Sequence, residues 1–192
     1  ISNFKANNFR FAFERYTHFN GSISMNGLPD IENTFTHLRA QEMKVSTNDI
    51  ENFKIPGKQN KIKVPDVFET LGIIDIKGSF AGFYNDFVAY ASFDSRIGKV
   101  TTDLIVKQDP KVTVKYDGKI TAEQFDIGKF LKAEEYMGNM NITALIDGQG
   151  LDSETILVRL NGMVNSMTLL DNNFNQIEVK GDVIKPESGE TF

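Results

Sequence analysis

The chain has 192 residues, 40% of them hydrophobic, which is enough to build one sizeable core or two small ones. Its 26 acidic and 21 basic residues leave a net charge of -5, which argues against a phosphate-neutralising nucleic-acid interface and against simple electrostatic docking on an anionic bilayer. Cysteine is absent, so disulfide frameworks and thiolate chemistry are excluded. Tryptophan is absent too, and no apolar run approaches a membrane span or a signal peptide.

Alternation dominates the pattern along the chain. The first portion, up to the polar stretch Gly57–Lys61 after Pro56, is set off from a strand-rich remainder, with a possible internal boundary near 57–64. Within that first portion, Asp49–Phe53 predicts about one helical turn after Ser46-Thr47-Asn48. Pro65–Leu71, with Pro at its start and Gly72 at its stop, predicts a second short helix. Ile74-Asp75-Ile76-Lys77 opens a strand. Ser79–Phe93 (SFAGFYNDFVAYASF) reads as two aromatic strands cut at Asn85-Asp86. Val112–Tyr116, Ile142–Ala144, Val158–Leu160 and Ile177–Lys180 repeat the period-two pattern of half-buried strands. Between them, Asp126 is placed to cap a short helix over Ile127–Leu131, weakened by Gly128. Lys185–Glu190 reads as a frayed tail. Continuous apolar runs, the mark of parallel sheets buried on both faces, are missing, so an antiparallel meander is expected. With Ile rather than Met at position 1, the chain reads as an internal piece of a longer protein, residues 1–192 forming one β-rich domain or a fragment of a repeat array.

A motif recurs within the strands: apolar, any, apolar, any, Gly. It ends at Gly27, Gly78, Gly118, Gly148, Gly162 and Gly181, and in every copy the glycine is in phase with the apolar pair. Two readings stand. Either the glycines end strands at turns, or they let the sheet bend over its apolar face.

Signals of chemistry are missing. His18 and His37 are far apart, and neither a zinc-protease helix, a P-loop nor a dinucleotide fingerprint occurs. Gly78–Gly82 does not fit a nucleophile elbow, and Asp147-Gly148 and Asp117-Gly118 read as turns without the later carboxylate of a calcium loop. Glu134-Glu135 reads as a solvated edge, and nothing brings Asp30, Asp66, Asp75, Asp103 and Asp147 together. Neither an enzyme nor a cofactor or metal site is expected.

The run Leu71–Tyr90, followed by Gly98–Leu104, together with Gly27–Ile31 and Phe125–Leu131, resembles segments of TamB-like proteins of the AsmA-like superfamily, over roughly residues 20–184. The resemblance implies an elongated antiparallel sheet curled around an apolar inner face, a β-taco or groove with a few short helices. It implies an inner-membrane-anchored protein of the Gram-negative periplasm. The expected role is phospholipid movement between membranes in outer-membrane biogenesis, with outer-membrane assembly proteins met through parts outside this chain. On that view the wall is Ile74, Ile76, Phe80, Phe87, Phe93, Val112, Val114, Tyr116, Ile142, Ala144, Ile146, Val158, Leu160, Ile177 and Val179, with phospholipid acyl chains as the partner. The pieces around Val67-Phe68 and Phe130-Leu131 would plug one end. The same apolar rows also suit a closed β-sandwich acting as a client-protein or glycan-binding module, and open strand edges suit strand addition by a client. Lys107, Lys111, Lys115 and Lys119 charge the wet face of the middle strands.

Overall fold

The computed structural model describes residues 2–52, 64, 66–108, 114–150 and 157–184. Ten strands form one antiparallel sheet in the order of the chain: β1 (Ser2–Phe13), β2 (Thr17–Leu28), β3 (Phe35–Ser46), β4 (Ile73–Phe83), β5 (Asp86–Ser95), β6 (Gly98–Lys107), β7 (Lys115–Asp126), β8 (Met137–Gln149), β9 (Leu157–Leu169) and β10 (Asn172–Ile184). Each strand pairs with its sequence neighbours, and β1 and β10 are not joined, so the sheet is open. This is the meander that the alternation predicts, built as one sheet rather than the two of a sandwich.

Strands run 10 to 13 residues, longer than the five-position motif that recurs within them. The reason lies in the glycines. Gly78, Gly118, Gly162 and Gly181 sit inside their strands and do not end them. The aromatic hairpin turns at Tyr84-Asn85, one residue before the expected cut. The stretches 57–63, 109–113 and 185–192, which hold the expected boundary, Val112, Lys111 and the tail, lie outside the described residues. Val114 immediately precedes β7.

Because side chains alternate along each strand, the register sorts the whole sheet into two faces. One apolar row runs Phe11, Phe19, Met43, Ile76, Phe93, Val100, Ala122, Ile142, Val164, Ile177. The next on the same face runs Phe9, Gly21, Ala40, Gly78, Ala91, Thr102, Ile120, Ala144, Gly162, Val179. On the opposite face, one row runs Lys5, Ser24, His37, Ala81, Val88, Ile105, Asp117, Asp147, Arg159, Asp182. Cross-strand ion pairs stud that polar face: Lys44–Asp75 at 3.0 Å, Lys107–Asp86 at 3.5 Å, and Arg159 with both Asp147 and Asp182.

The helices gather at one end. α1 (Thr47–Asn52) follows β3, a 3₁₀ helix (Asp66–Leu71) precedes β4, and α2 (Ile127–Leu131) follows β7. All three fall where β3 ends, β4 begins and β7 ends, the end that also carries the β1–β2, β5–β6 and β9–β10 turns. The signals for these helices are local. Asp126 accepts from the Lys129 amide at 3.0 Å and pairs with its ammonium at 2.8 Å. Gly72, at φ +70°, stops the 3₁₀ helix. Gly128 shortens α2, yet a side chain there would run into the Met137 carbonyl, so helix propensity yields to a close approach of β8.

Candidate functional site

The candidate site is the apolar face. Of the wall residues expected from the sequence, the register puts Ile74, Ile76, Phe80, Phe87, Phe93, Tyr116, Ile142, Ala144, Ile146, Val158, Leu160, Ile177 and Val179 on that one face. Phe80 faces Ala89 and lies beside Phe87, the two rings 4.5 Å apart. Sequence reasoning missed part of the wall. Val100, Leu104, Val106, Ile120, Ala122 and Val164 continue the same rows, as do Phe19, Ile23 and Leu38 at the other side. The alternation through Val100–Val106 was available as a signal, but threonines at 101 and 102 blur it.

The two faces differ in exposure although both carry large apolar side chains. On the polar face Val88, Tyr90, Ile105 and Leu145 are 47–60% exposed. On the apolar face the same strands carry Phe87, Phe93, Leu104 and Ile146, and β4 carries Phe80, all half-buried, while Ile142 and Ala144 fall to 5% and 2%. Among the described residues no second sheet supplies that burial.

Glycine packing accompanies the asymmetry. At Gly78 an added Cβ would sit 2.7 Å from Ala91 Cα and closer still to the Tyr90 carbonyl oxygen. At Gly162 it would sit 2.5 Å from Ala144 Cα and closer still to the Thr143 carbonyl oxygen. Gly148 faces the Tyr116 ring, 2.6 Å from where a Cβ would lie. At each of these glycines a side chain would run into the residue paired with it on the neighbouring strand or that residue's chain neighbour. Gly181 has open space instead, as expected on an edge strand.

At the helical end the face is covered. Ile97, Ala122, Phe125, Ile142, Ala144 and Val164 form a buried cluster, with Leu71, Ile127 and Phe130 packed against it. Phe130 meets Phe125 at 5.4 Å and Phe68 at 6.1 Å, both edge-on. The 3₁₀ helix and α2 therefore close over one end with Phe68 and Phe130, while Leu131 points away, 54% exposed.

The titratable groups are structural in placement. Asp49 is buried at the start of α1. Burial pushes its carboxyl up, but hydrogen bonds from the Thr17 hydroxyl (2.8 Å) and the Tyr16 amide (3.1 Å) outweigh it and hold the pKa below the usual value. Asp126 behaves alike: burial raises it, and the Lys129 hydrogen bonds and charge bring it net down. Tyr116, on the apolar face, has its phenol pushed up by burial. His18 pairs with Glu42 at 3.5 Å and His37 is exposed, so the two histidines stay apart on β2 and β3. Among the described residues no three His, Asp or Glu side chains gather as a metal site.

A cleft of about 550 Å³ lies beside Glu42, Asp75, Lys77, Asp94 and Lys99, a ring of polar-face charges. No helix among the described residues is long and apolar enough to cross a membrane. Comparison with protein-family models, with curated proteins and with solved structures finds no match.

Proposed function

We propose that the apolar face is a track for phospholipid acyl chains, curled by its in-phase glycines into a groove. The observation that carries this reading is the burial asymmetry. Side chains on one face of a single sheet are withdrawn from water, at one end under the short helices and elsewhere with no second sheet over them among the described residues. A sheet bending toward that face accounts for both the burial and the approach of neighbouring backbone to Gly78 and Gly162. A strand of 12 residues spans roughly 40 Å at about 3.4 Å per residue, longer than an extended acyl chain. Tails lying along the strands would complete the cover of apolar rows that the sheet leaves only half-buried. Transfer on this reading is passive sliding and needs no nucleophile, metal or cofactor. The TamB-like resemblance, with its periplasmic setting and its role in outer-membrane biogenesis, belongs to the same proposal.

The test uses Ile146 and Thr143, which the register puts on opposite faces of β8. A photo-crosslinking residue goes at each position in the full-length protein in cells, and captured material is analysed for lipid by mass spectrometry. Phospholipid at 146 and not at 143 supports the groove. Crosslinks at 146 that reach only the protein's own chain overturn it, and the face is then simply a core.

A further inference from the structure

We infer that the helical end of the sheet carries a binding pocket for a phosphate group, with Arg96 and Lys132 as its principal cations. A cleft of about 500 Å³ opens there between the β5–β6 turn, the end of the 3₁₀ helix and α2, lined by Thr70, Arg96, Ile97, Lys129, Lys132 and Glu134. Clefts of roughly 300–1,000 Å³ hold small ligands. Three cations and one carboxylate line it, on a chain whose net charge is -5. The pocket stands on this geometry alone; only the assignment of its phosphate to a lipid rests on the groove reading.

The backbone that carries these cations is tied down. Arg96 and Ile97 form the two-residue turn between β5 and β6. The Ser95 hydroxyl donates to the Gly98 carbonyl at 2.8 Å and closes that turn. The Ile97 carbonyl accepts from the Asp126 amide at 2.7 Å, which ties the turn to the start of α2. Arg96 then reaches over Gly72, its Cδ 3.3 Å from where a Cβ would sit, and its Nε donates to the Thr70 carbonyl at 2.7 Å. That bond uses one of the guanidinium donors and fixes the plane of the others. At the far end of α2, Lys132 takes the left-handed conformation (φ +57°), its amide bonded to the Gly128 and Lys129 carbonyls. Glycine is the usual residue in that position, so the lysine brings an ammonium where conformational ease favours no side chain.

The charges ask for an anion. On the polar face Lys44, Lys99 and Lys107 each pair with a carboxylate, and at the pocket Lys129 pairs with Asp126. Among the described residues Arg96 and Lys132 have no carboxylate within ion-pair distance, and Glu134 pairs with neither. An arginine fork beside a lysine point charge is a donor set suited to phosphate oxygens. The floor is apolar: Ile97 is 4% exposed and belongs to the buried cluster that holds Ile142, Ala144 and Val164. A phosphate ester seated here has its charge on the two cations and its substituents near the covered end of the apolar face. A lipid headgroup and a free phosphate ester both supply that chemistry.

Titrations of the chain use three probes: inorganic phosphate, glycerophosphoglycerol, and dihexanoylphosphatidylglycerol below its micelle concentration. All three should bind, and Arg96→Gln and Lys132→Gln should each weaken binding about tenfold. Glu134→Gln should tighten it about threefold, because a like charge leaves the lining. Lys132→Gln and Glu134→Gln leave the Arg96–Thr70 bond in place, and urea midpoints check that each variant keeps its fold. Tighter binding of the acylated probe than of glycerophosphoglycerol supports the pocket and assigns its phosphate to a lipid. Equal binding supports the pocket and assigns it to a free ester. Binding of the acylated probe that none of the three substitutions moves would overturn the pocket and leave the groove reading standing. Failure of every probe to bind would overturn the pocket as well.

Discussion

Strands β1 and β8 are written in the same period-two code, yet they sit in different worlds. β8 places Ile142 and Ala144 on the apolar face at 5% and 2% exposure. β1 places Phe4, Phe9 and Phe11 on that face at 44%, 40% and 41%. The larger side chains are the more exposed ones. The difference is the company. β8 has a strand on each side and lies under the cluster built by Phe125, Phe130 and Leu71. β1 has one neighbour among the described strands. Alternation marks which face a residue takes; depth is set by the neighbours and by the helical cover.

That contrast can be broken from the buried side first. Phe125→Ala removes the ring joining β7 to α2 and should cost about 3–5 kcal/mol, read as a fall in the urea midpoint. The corresponding change at the edge, Phe11→Ala, should cost about 1 kcal/mol or less, because the ring is already partly hydrated. Equal losses at the two sites would erase the distinction between edge and centre. Next in size is Gly78→Val in β4, where the new side chain must push Tyr90 and Ala91 of β5 aside. About 1–3 kcal/mol is expected, against little at Gly181→Val, where the space is open.

The helical end offers a pH probe. Asp49 has a lowered pKa in the folded protein, so it contributes stability above its unfolded pKa. That contribution is lost as pH falls below about 4 and passes through the folded value. Asp49→Asn should flatten the acid limb of a stability–pH curve, and an unchanged limb would show that the contacts to Tyr16 and Thr17 carry no linkage. The smallest effect is expected on the polar face. Arg159→Ala cuts the ion pairs to Asp147 and Asp182, whose partners are more than half exposed, and should shift stability by about 0.5 kcal/mol or less.

Much of this was legible from residues alone. Ile74/Ile76, Ile142/Ala144/Ile146 and Ile177/Val179 announced their face because a pleated strand sends alternate side chains to opposite sides, whatever surrounds it. The caps were legible for the same local reason: Asp126 before α2 and Gly72 after the 3₁₀ helix act within a few residues. The in-phase glycines announced close approach but not the atom approached. Tyr90 lies twelve residues from Gly78, and only the β4–β5 register brings them together.

The sequence by itself therefore determined the alternating strands from Ile74 on, their two-faced pattern and the short capped helices, since each depends on a residue and its near neighbours; it named no strand over β1 or β3, which the structure adds to the same sheet. Tertiary structure alone decided that all ten strands join one open sheet, that Phe68 meets Phe130 over one end, and that Lys5 and Asp182 finish the same row. Those facts follow from register summed over nine pairings, and a one-residue slip at any of them would invert every face beyond it.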